Sequence, residues 1–291
     1  MESVENASSP DKGFWGISHV ATGVVLSIVS SVFVGSLVLT FVDSDPLPLW
    51  ITALLQVPLW FGLLGVPWLI LKRERLSWRD DLGIPLLIRK WKTNELTSHK
   101  KIDHITVRQC IEGLLIGVFS QAILVPLLYL PALFFVDDLD VSGPARELTE
   151  RAHGIGIFLL VLVVVVGAPV VEEIFFRGFA LRAFQDRWPP TPVLHQNLIV
   201  NLPVGEKGQS GLIRYFRKLV RCLLWKIRQQ LPLIASSLLF GLVHFQPLQF
   251  PALVLFGLIA GKIAQRDGHL GRAICAHAGF NAYTVFVLVY L

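Results

Sequence analysis

The sequence predicts an all-α fold, a polytopic bundle of about seven to eight membrane-spanning helices with a basic amphipathic helix on the cytoplasmic side. Three observations carry this. The 291 residues are 53% hydrophobic and only 16% charged, against roughly 25% charged in a soluble domain. Long charge-free runs recur along the chain. The excess of 26 Lys and Arg over 21 Asp and Glu is concentrated in the connections between those runs, as the positive-inside rule expects of cytoplasmic loops.

A span needs about 20 mostly apolar residues. The charge-free runs are 13–42, 46–71, 113–136, 154–171, 229–261 and 273–291. The first follows Glu2, Glu5, Asp11 and a single Lys12, so it is expected to be a retained helix rather than a cleaved signal peptide. The fourth continues through Glu172 and Arg177 towards Arg187. The fifth is too long for one crossing and divides at Pro247 and Pro251, because each proline lacks an N–H.

Loop charge sets the expected orientation. Residues 72–108 carry ten Lys/Arg, residues 182–228 carry nine, and residues 137–153 carry two beside five acids. The chain is thus expected in a plasma (inner) membrane with its N-terminus cytoplasmic. Within the second basic connection, Arg214, Arg217, Lys218, Arg221 and Arg228 share one helical face. Ile213, Phe216, Leu219, Val220, Leu223 and Ile227 share the other, the pattern of a helix at the headgroup level. Two regions follow: residues 1–149, with the first helices and a basic loop, and residues 150–291, with an insertion at 188–230. Cys110, Cys222 and Cys275 are scattered and form neither a CxxC pair nor a disulfide framework. No nucleic-acid partner is expected; lipid and a peptide or membrane-protein substrate are.

Ionisable residues inside spans are costly and mark function. The candidates are Glu172, Glu173, Arg177, His244 and His277, with Asn281. His19 has no evident partner and is read as structural, and Lys262 sits where it can snorkel. Glu173 and Arg177 are four apart on a helix and face each other. Glu172 is turned about 100° away and is left free to face a cavity. A free carboxylate suits a general base. His277 and Asn281 share a face one turn apart. Two imidazoles and a carboxylate also form a zinc set, Glu172, His244 and His277, although the His-Glu-x-x-His signature is absent. The metal-free alternative has Glu172 and His244 polarising a water, with His277 and Asn281 donating to an oxyanion. Ser236 and Ser237 read as packing residues, as does Gly257-x-x-x-Gly261. A membrane scaffold or a small proton-coupled transporter would also use a buried polar cluster, though no internal repeat of the kind many transporters show is evident.

Glu172-Glu173-x-x-x-Arg177, then Phe240-x-x-x-His244, then His277-x-x-x-Asn281, in that order on hydrophobic helices, resembles the CPBP (CAAX protease and bacteriocin-processing, or Abi) family of intramembrane proteases. That group includes the type II CAAX prenyl endopeptidase. The resemblance covers roughly residues 150–291. It implies a helical-bundle peptidase cutting near the cytoplasmic face of the membrane. In it Glu172 would be the general base, His244 would activate the same water, and His277 and Asn281 would form the oxyanion site. Glu173, Arg177 and Phe240 would support them. The family is commonly labelled metalloprotease, and a Zn2+-dependent and a metal-free mechanism both fit it. The long basic insertion at 188–230 departs from the short connection usual there, and it stands on the side from which a cytoplasmic substrate is expected to enter.

Overall fold

The computed structural model describes residues 16–44, 46–84, 105–135, 140–188 and 211–291. These form eight helices: α1 (Ile17–Leu39), α2 (Leu49–Glu74), α3 (Val107–Tyr129), α4 (Gly143–Glu150), α5 (Ile155–Arg187), α6 (Gly211–Leu242), α7 (Phe250–Asp267) and α8 (Gly271–Tyr290). Among the described residues, α1, α2, α3, α5 and α8 are long and apolar enough to cross a membrane. The two remaining apolar runs lie in α6 and α7, which share their lengths with charged residues such as Arg228 and Lys262.

Helix ends follow local chemistry. Thr106 and Gln109 cap the start of α3 reciprocally, with Gln109 N–H donating to Thr106 Oγ1 at 3.2 Å and Thr106 N–H to Gln109 Oε1 at 2.9 Å, two orphan donors satisfied at once. Pro251 opens α7 and Gly268 closes it in the left-handed region at φ 71°, the usual asymmetry of proline at the start and glycine past the end. Three short stretches widen into π turns: Ser120–Leu124 in α3, then Val161–Gly167 and Ile174–Ala180 in α5.

The apolar surface faces outwards as well as inwards. Val25, Val29 and Phe33 of α1, Leu115 and Phe119 of α3 and Phe158 of α5 are all exposed, an arrangement that needs lipid around it. Inside, Phe175, Phe176, Phe179, Phe240 and Phe256 are fully buried. Small residues let the helices meet closely, since between apolar helices in lipid the attraction comes from packing. Gly62 of α2 lies against the backbone of Ser27 on α1, and Ser30 Oγ donates across the pair to Pro58 O at 2.8 Å. A Cβ on Gly117 of α3 would fall on Ala276 O, and one on Gly279 of α8 would fall on Leu114 O. Gly257 and Gly261 pack α7 on Ser237 and Leu233 of α6, as the spacing suggested.

The structure revises three expectations. The basic amphipathic segment is not a separate helix within a loop; it is the first half of α6 and runs on through Arg228 to Leu242 without a break. Apolar side chains draw the chain into the bundle from Leu233 onwards, where Leu233, Ser236, Ser237 and Phe240 are buried. Before that, Phe216, Leu219, Leu223 and Ile227 stay exposed. The connection 137–153 also contains a helix, α4, started by Gly143-Pro144. His19 has a partner, because its Nδ1 accepts from Gly16 N–H at 3.3 Å. Residues 85–104 of the first basic connection and 189–210 of the insertion lie outside the described residues, as do the side chains of Ile213, Arg214, Lys218 and Arg221.

Candidate active site

The candidate residues come from α5, the end of α6 and the regular helix α8, and backbone irregularities in α5 and just after α6 help to place them. On α5, the π stretch Val161–Gly167 ends where Ala168 N–H bonds Val163 O. The next donor in that register would be Pro169, which has no N–H. Val164 O is therefore open, and Asn281 Nδ2 of α8 donates to it at 2.8 Å. This bond ties the middle of α8 to α5 about two turns before Glu172 and Glu173. An amide nitrogen has two N–H groups, so Asn281 retains one for the cavity it lines.

His244 lies just past the end of α6. Its own N–H bonds Gly241 O at 3.4 Å, which leaves the carbonyl of Phe240 to the side chain: Nδ1 stands 2.6 Å from Phe240 O. A carbonyl only accepts, so Nδ1 carries the proton and neutral His244 presents Nε2 as an acceptor. Phe245 follows in the left-handed region at φ 52°, rare for a bulky aromatic residue. That turn folds the chain away and holds the imidazole beside the end of α6.

Glu173 and Arg177 are both buried and pair as the spacing predicts, with Arg177 Nη1 donating to Glu173 Oε1 at 2.8 Å. The guanidinium also reaches Gly257 O of α7 at 3.5 Å and lies 4.3 Å over the ring of Phe240, where the ring's negative face attracts a cation. Glu173 Oε1 has a second partner, Nδ1 of His277 at 2.9 Å. The carboxylate charged against Arg177 accepts, so His277 Nδ1 donates and its Nε2 is turned to the other carboxylate.

Glu172 closes the cluster. Its Oε2 is 3.7 Å from Nε2 of His277 and 3.8 Å from Nε2 of His244. That oxygen is buried and has no hydrogen-bond partner. Three acceptor atoms, one oxygen and two ring nitrogens, thus face one small space with no donor among them. Phe240 packs edge-on against His244 at 4.8 Å and His277 at 5.6 Å, and Phe256 contacts His277 at 5.0 Å. Sequence reasoning named all these residues except Phe256, and the structure brings Glu172, His244 and His277 together on one side of Glu173. Asn281 stands one turn further along α8, bonded to α5.

A cavity of about 740 Å³ opens onto the cluster and is lined by Glu172, His244, His277 and Asn281. Its walls include Gln121 and Tyr129 of α3, which no motif marked; the trace in the sequence is the polar pair Ser120-Gln121 inside an apolar run. Tyr129 OH donates to Leu248 O, joining α3 to the α6–α7 turn. The cavity reaches the end of the bundle formed by Val141, Gln249 and Leu288; residues 189–210 of the basic insertion lie outside the described residues. No cavity direction is encoded in helix periodicity; it depends on where the helices part.

The donor types and their partners suit Zn2+, since ligating imidazoles commonly donate their other N–H to a carboxylate or carbonyl. Among the described residues, no group of three or more His, Cys, Asp or Glu is arranged to hold a metal ion as it stands. Ser236 and Ser237 are both buried and committed, Ser236 Oγ to Phe176 O and Ser237 Oγ to Leu233 O, each at 2.8 Å, which supports their reading as packing residues.

A family model described as type II CAAX prenyl endopeptidase Rce1-like matches residues 154–208 and 209–283. No curated protein and no solved structure matches.

Proposed function

Residues 154–283 belong to the type II CAAX prenyl endopeptidase Rce1-like family, and from that premise we propose that this multi-pass membrane protein is an intramembrane endopeptidase whose water is activated by Glu172. The observation that carries the reading is the unpartnered Oε2 of Glu172, facing Nε2 of His244 and of His277 inside a cavity. A water there donates to Glu172 and to one imidazole and points a lone pair into the cavity.

The chemistry is amide hydrolysis. Glu172 takes a proton from the water as the water oxygen bonds to the peptide carbonyl carbon. The carbonyl π electrons move to oxygen and give a tetrahedral oxyanion. The free N–H of Asn281 serves that oxyanion, and so does Nε2–H of His277 when the ring carries its second proton. The C–N bond then breaks, and the proton from Glu172 passes to the departing amine. Glu173 accepts from Nδ1–H of His277 and so orients the ring and balances its second proton, and Arg177 balances Glu173. Were Zn2+ bound, the Glu172 carboxylate and Nε2 of His244 and His277 would hold it, and it would polarise water and carbonyl as a Lewis acid.

The test is cleavage of a membrane-anchored reporter by purified protein in liposomes, with metal content measured on the same sample. Wild type cuts and Glu172→Gln does not, with an unchanged melting temperature. Equal cleavage by both sinks the assignment, and a folded wild type that cuts nothing returns the protein to a scaffold or transporter role. A proteomic comparison of wild-type and Glu172→Gln membranes then identifies the substrates.

A further inference from the structure

Cys110, Cys222 and Cys275 stand far apart in the sequence, and the fold brings two of them together. Cys110 is in the first turn of α3 and Cys275 is in the second turn of α8. The Cys275 thiol donates a hydrogen bond to Cys110 across the two helices. Both thiols are free and partly buried, and neither lines the cavity at Glu172.

The meeting follows from the glycines of α3. A Cβ on Gly113 would stand 2.6 Å from Arg272 O and 2.8 Å from Cys275 Cβ, and one on Gly117 would stand 2.6 Å from Phe280 N. The same order along both helices makes α3 and α8 parallel neighbours. Gly113 is three residues after Cys110 and shares its face of α3, so the groove that receives Cys275 at Gly113 leads back to Cys110. A Cβ on either glycine would hold the backbones apart; without it, side chains as short as those of cysteine meet. A disulfide asks for Cβ atoms about 3.5–4.5 Å apart, which calls for helices as close as these.

The pair stands near the charged ends of both helices. Exposed Arg108 pairs with Glu112 on α3 at 2.7 Å, and Arg272 of α8 joins Glu112 at 3.1 Å and Asp267. A hydrophilic oxidant therefore reaches the thiols past charged side chains rather than through lipid tails. Metal binding is the other chemistry of paired thiols, and it wants further ligands. Among the described residues, no group of three or more His, Cys, Asp or Glu is arranged to hold an ion.

We propose that Cys110 and Cys275 are a modification site, a dithiol that a peroxide converts to a reversible disulfide joining α8 to α3 two residues before His277. The hydrogen bond sets the order of events: Cys275 holds its proton as donor, and Cys110 attacks. The Cys110 thiolate takes one oxygen of hydrogen peroxide, the O–O bond breaks, and the departing hydroxide is protonated to water. This leaves a sulfenic acid on Cys110. The Cys275 sulfur then bonds to the Cys110 sulfur, and the second oxygen leaves as water with the Cys275 proton. Two thiols lose two electrons and two protons, and one peroxide becomes two waters. A dithiol reductant returns the pair to thiols by exchange. Because α8 carries His277 and Asn281, the bond clamps the helix that presents both to the cavity. The site is independent of peptide cleavage.

The test is hydrogen peroxide applied to the full-length protein in liposomes, followed by maleimide blocking, digestion and mass spectrometry. A linked pair of peptides carrying Cys110 and Cys275 is expected, lighter by two hydrogens than the sum of the free peptides and separated again by dithiothreitol. Cys222→Ser keeps the link, and Cys110→Ser and Cys275→Ser lose it. The melting temperature of the oxidised wild type is expected several degrees above that of the reduced protein, because a bond closing so long a loop restricts the unfolded chain. Cys110→Ser is expected to show no such rise. Full maleimide labelling of Cys110 and Cys275 after peroxide overturns the proposal, as does a link that forms only through Cys222 or only between two molecules. A link between Cys110 and Cys275 without a rise in melting temperature overturns the clamp.

Discussion

Nδ1 of His277 stands 2.9 Å from Oε1 of Glu173, the same oxygen that Arg177 engages at 2.8 Å. One buried atom therefore serves two donors on two helices, α5 and α8, and the guanidinium it holds reaches a third helix at Gly257 O. Glu173 and Glu172 are neighbours in sequence with opposite duties: one is consumed by structure and the other is kept free of it.

Glu173→Gln is expected to destabilise the protein strongly. Removing one partner of a buried ion pair leaves the other charge uncompensated, at a cost of about 3–5 kcal/mol. The measurement is a thermal melt in detergent, where a drop of several degrees is expected together with loss of cleavage. A melt equal to wild type would falsify the structural role given to this carboxylate.

Glu172→Gln is expected to do the reverse. Its Oε2 makes no hydrogen bond, so the fold loses nothing when the charge goes. A positioned general base contributes roughly 10²–10⁴ in rate, and the cleavage rate should fall by that much while the melting temperature holds. His244→Ala belongs with it, because its ring bonds only the last turn of its own helix at Phe240 O and otherwise faces Glu172.

Gly117→Ala should impair both stability and activity, at about 1–3 kcal/mol, the usual cost of overpacking. A Cβ there would fall on Ala276 O, the residue before His277, and α8 would have to back away with the imidazole. Gly35→Ala is the control, since nothing lies within 4 Å of its Cβ position. Equal melts and equal rates for the two variants would show that α3 does not set the position of α8.

Ser236→Ala should lower stability by about 0.6 kcal/mol, the average for a hydrogen bond between membrane helices, and leave cleavage intact. Its hydroxyl is spent on Phe176 O. Loss of cleavage without loss of stability would instead point to serine chemistry.

Much of this was readable from local rules. The pairing of Glu173 with Arg177 follows from a spacing of four on a helix, and the freedom of Glu172 from its 100° offset. The breaks at Pro247–Pro251 and the end of α5 near Arg187 followed from proline chemistry and charge. The convergence of His244 and His277 on Glu172 was not readable, because it depends on packing α5, α6 and α8 together. The placement of Asn281 was hidden for a subtler reason. It answers a missing N–H at Pro169, and that gap matters only because the backbone widens into a π turn, which no residue pattern announced. The continuity of α6 through Arg228 was obscured by charge: basic residues suggested a loop, whereas exposed helix at a membrane surface tolerates them. The side of the cavity mouth depends on where helices separate, and sequence periodicity is silent on that.

The buried Glu173–Arg177–His277 triad bears on how the protein is made. As α5 enters the bilayer it brings Glu172, Glu173 and Arg177 together, and a charged residue at the centre of a helix costs about 2.5–3.5 kcal/mol on insertion. The helix can neutralise one pair by itself, since Arg177 lies one turn from Glu173. The remaining donor for Glu173 and the base of the Phe240–Phe256 sleeve around the imidazoles arrive only with α6, α7 and α8, the last a hundred residues later in synthesis. Until then the newborn α5 is a costly helix in search of partners, and the Glu172–His244–His277 cluster is complete only when the last helix has been laid down. Glu173 Oε1 thus waits for its second donor, Nδ1 of His277, until the final helix is in place.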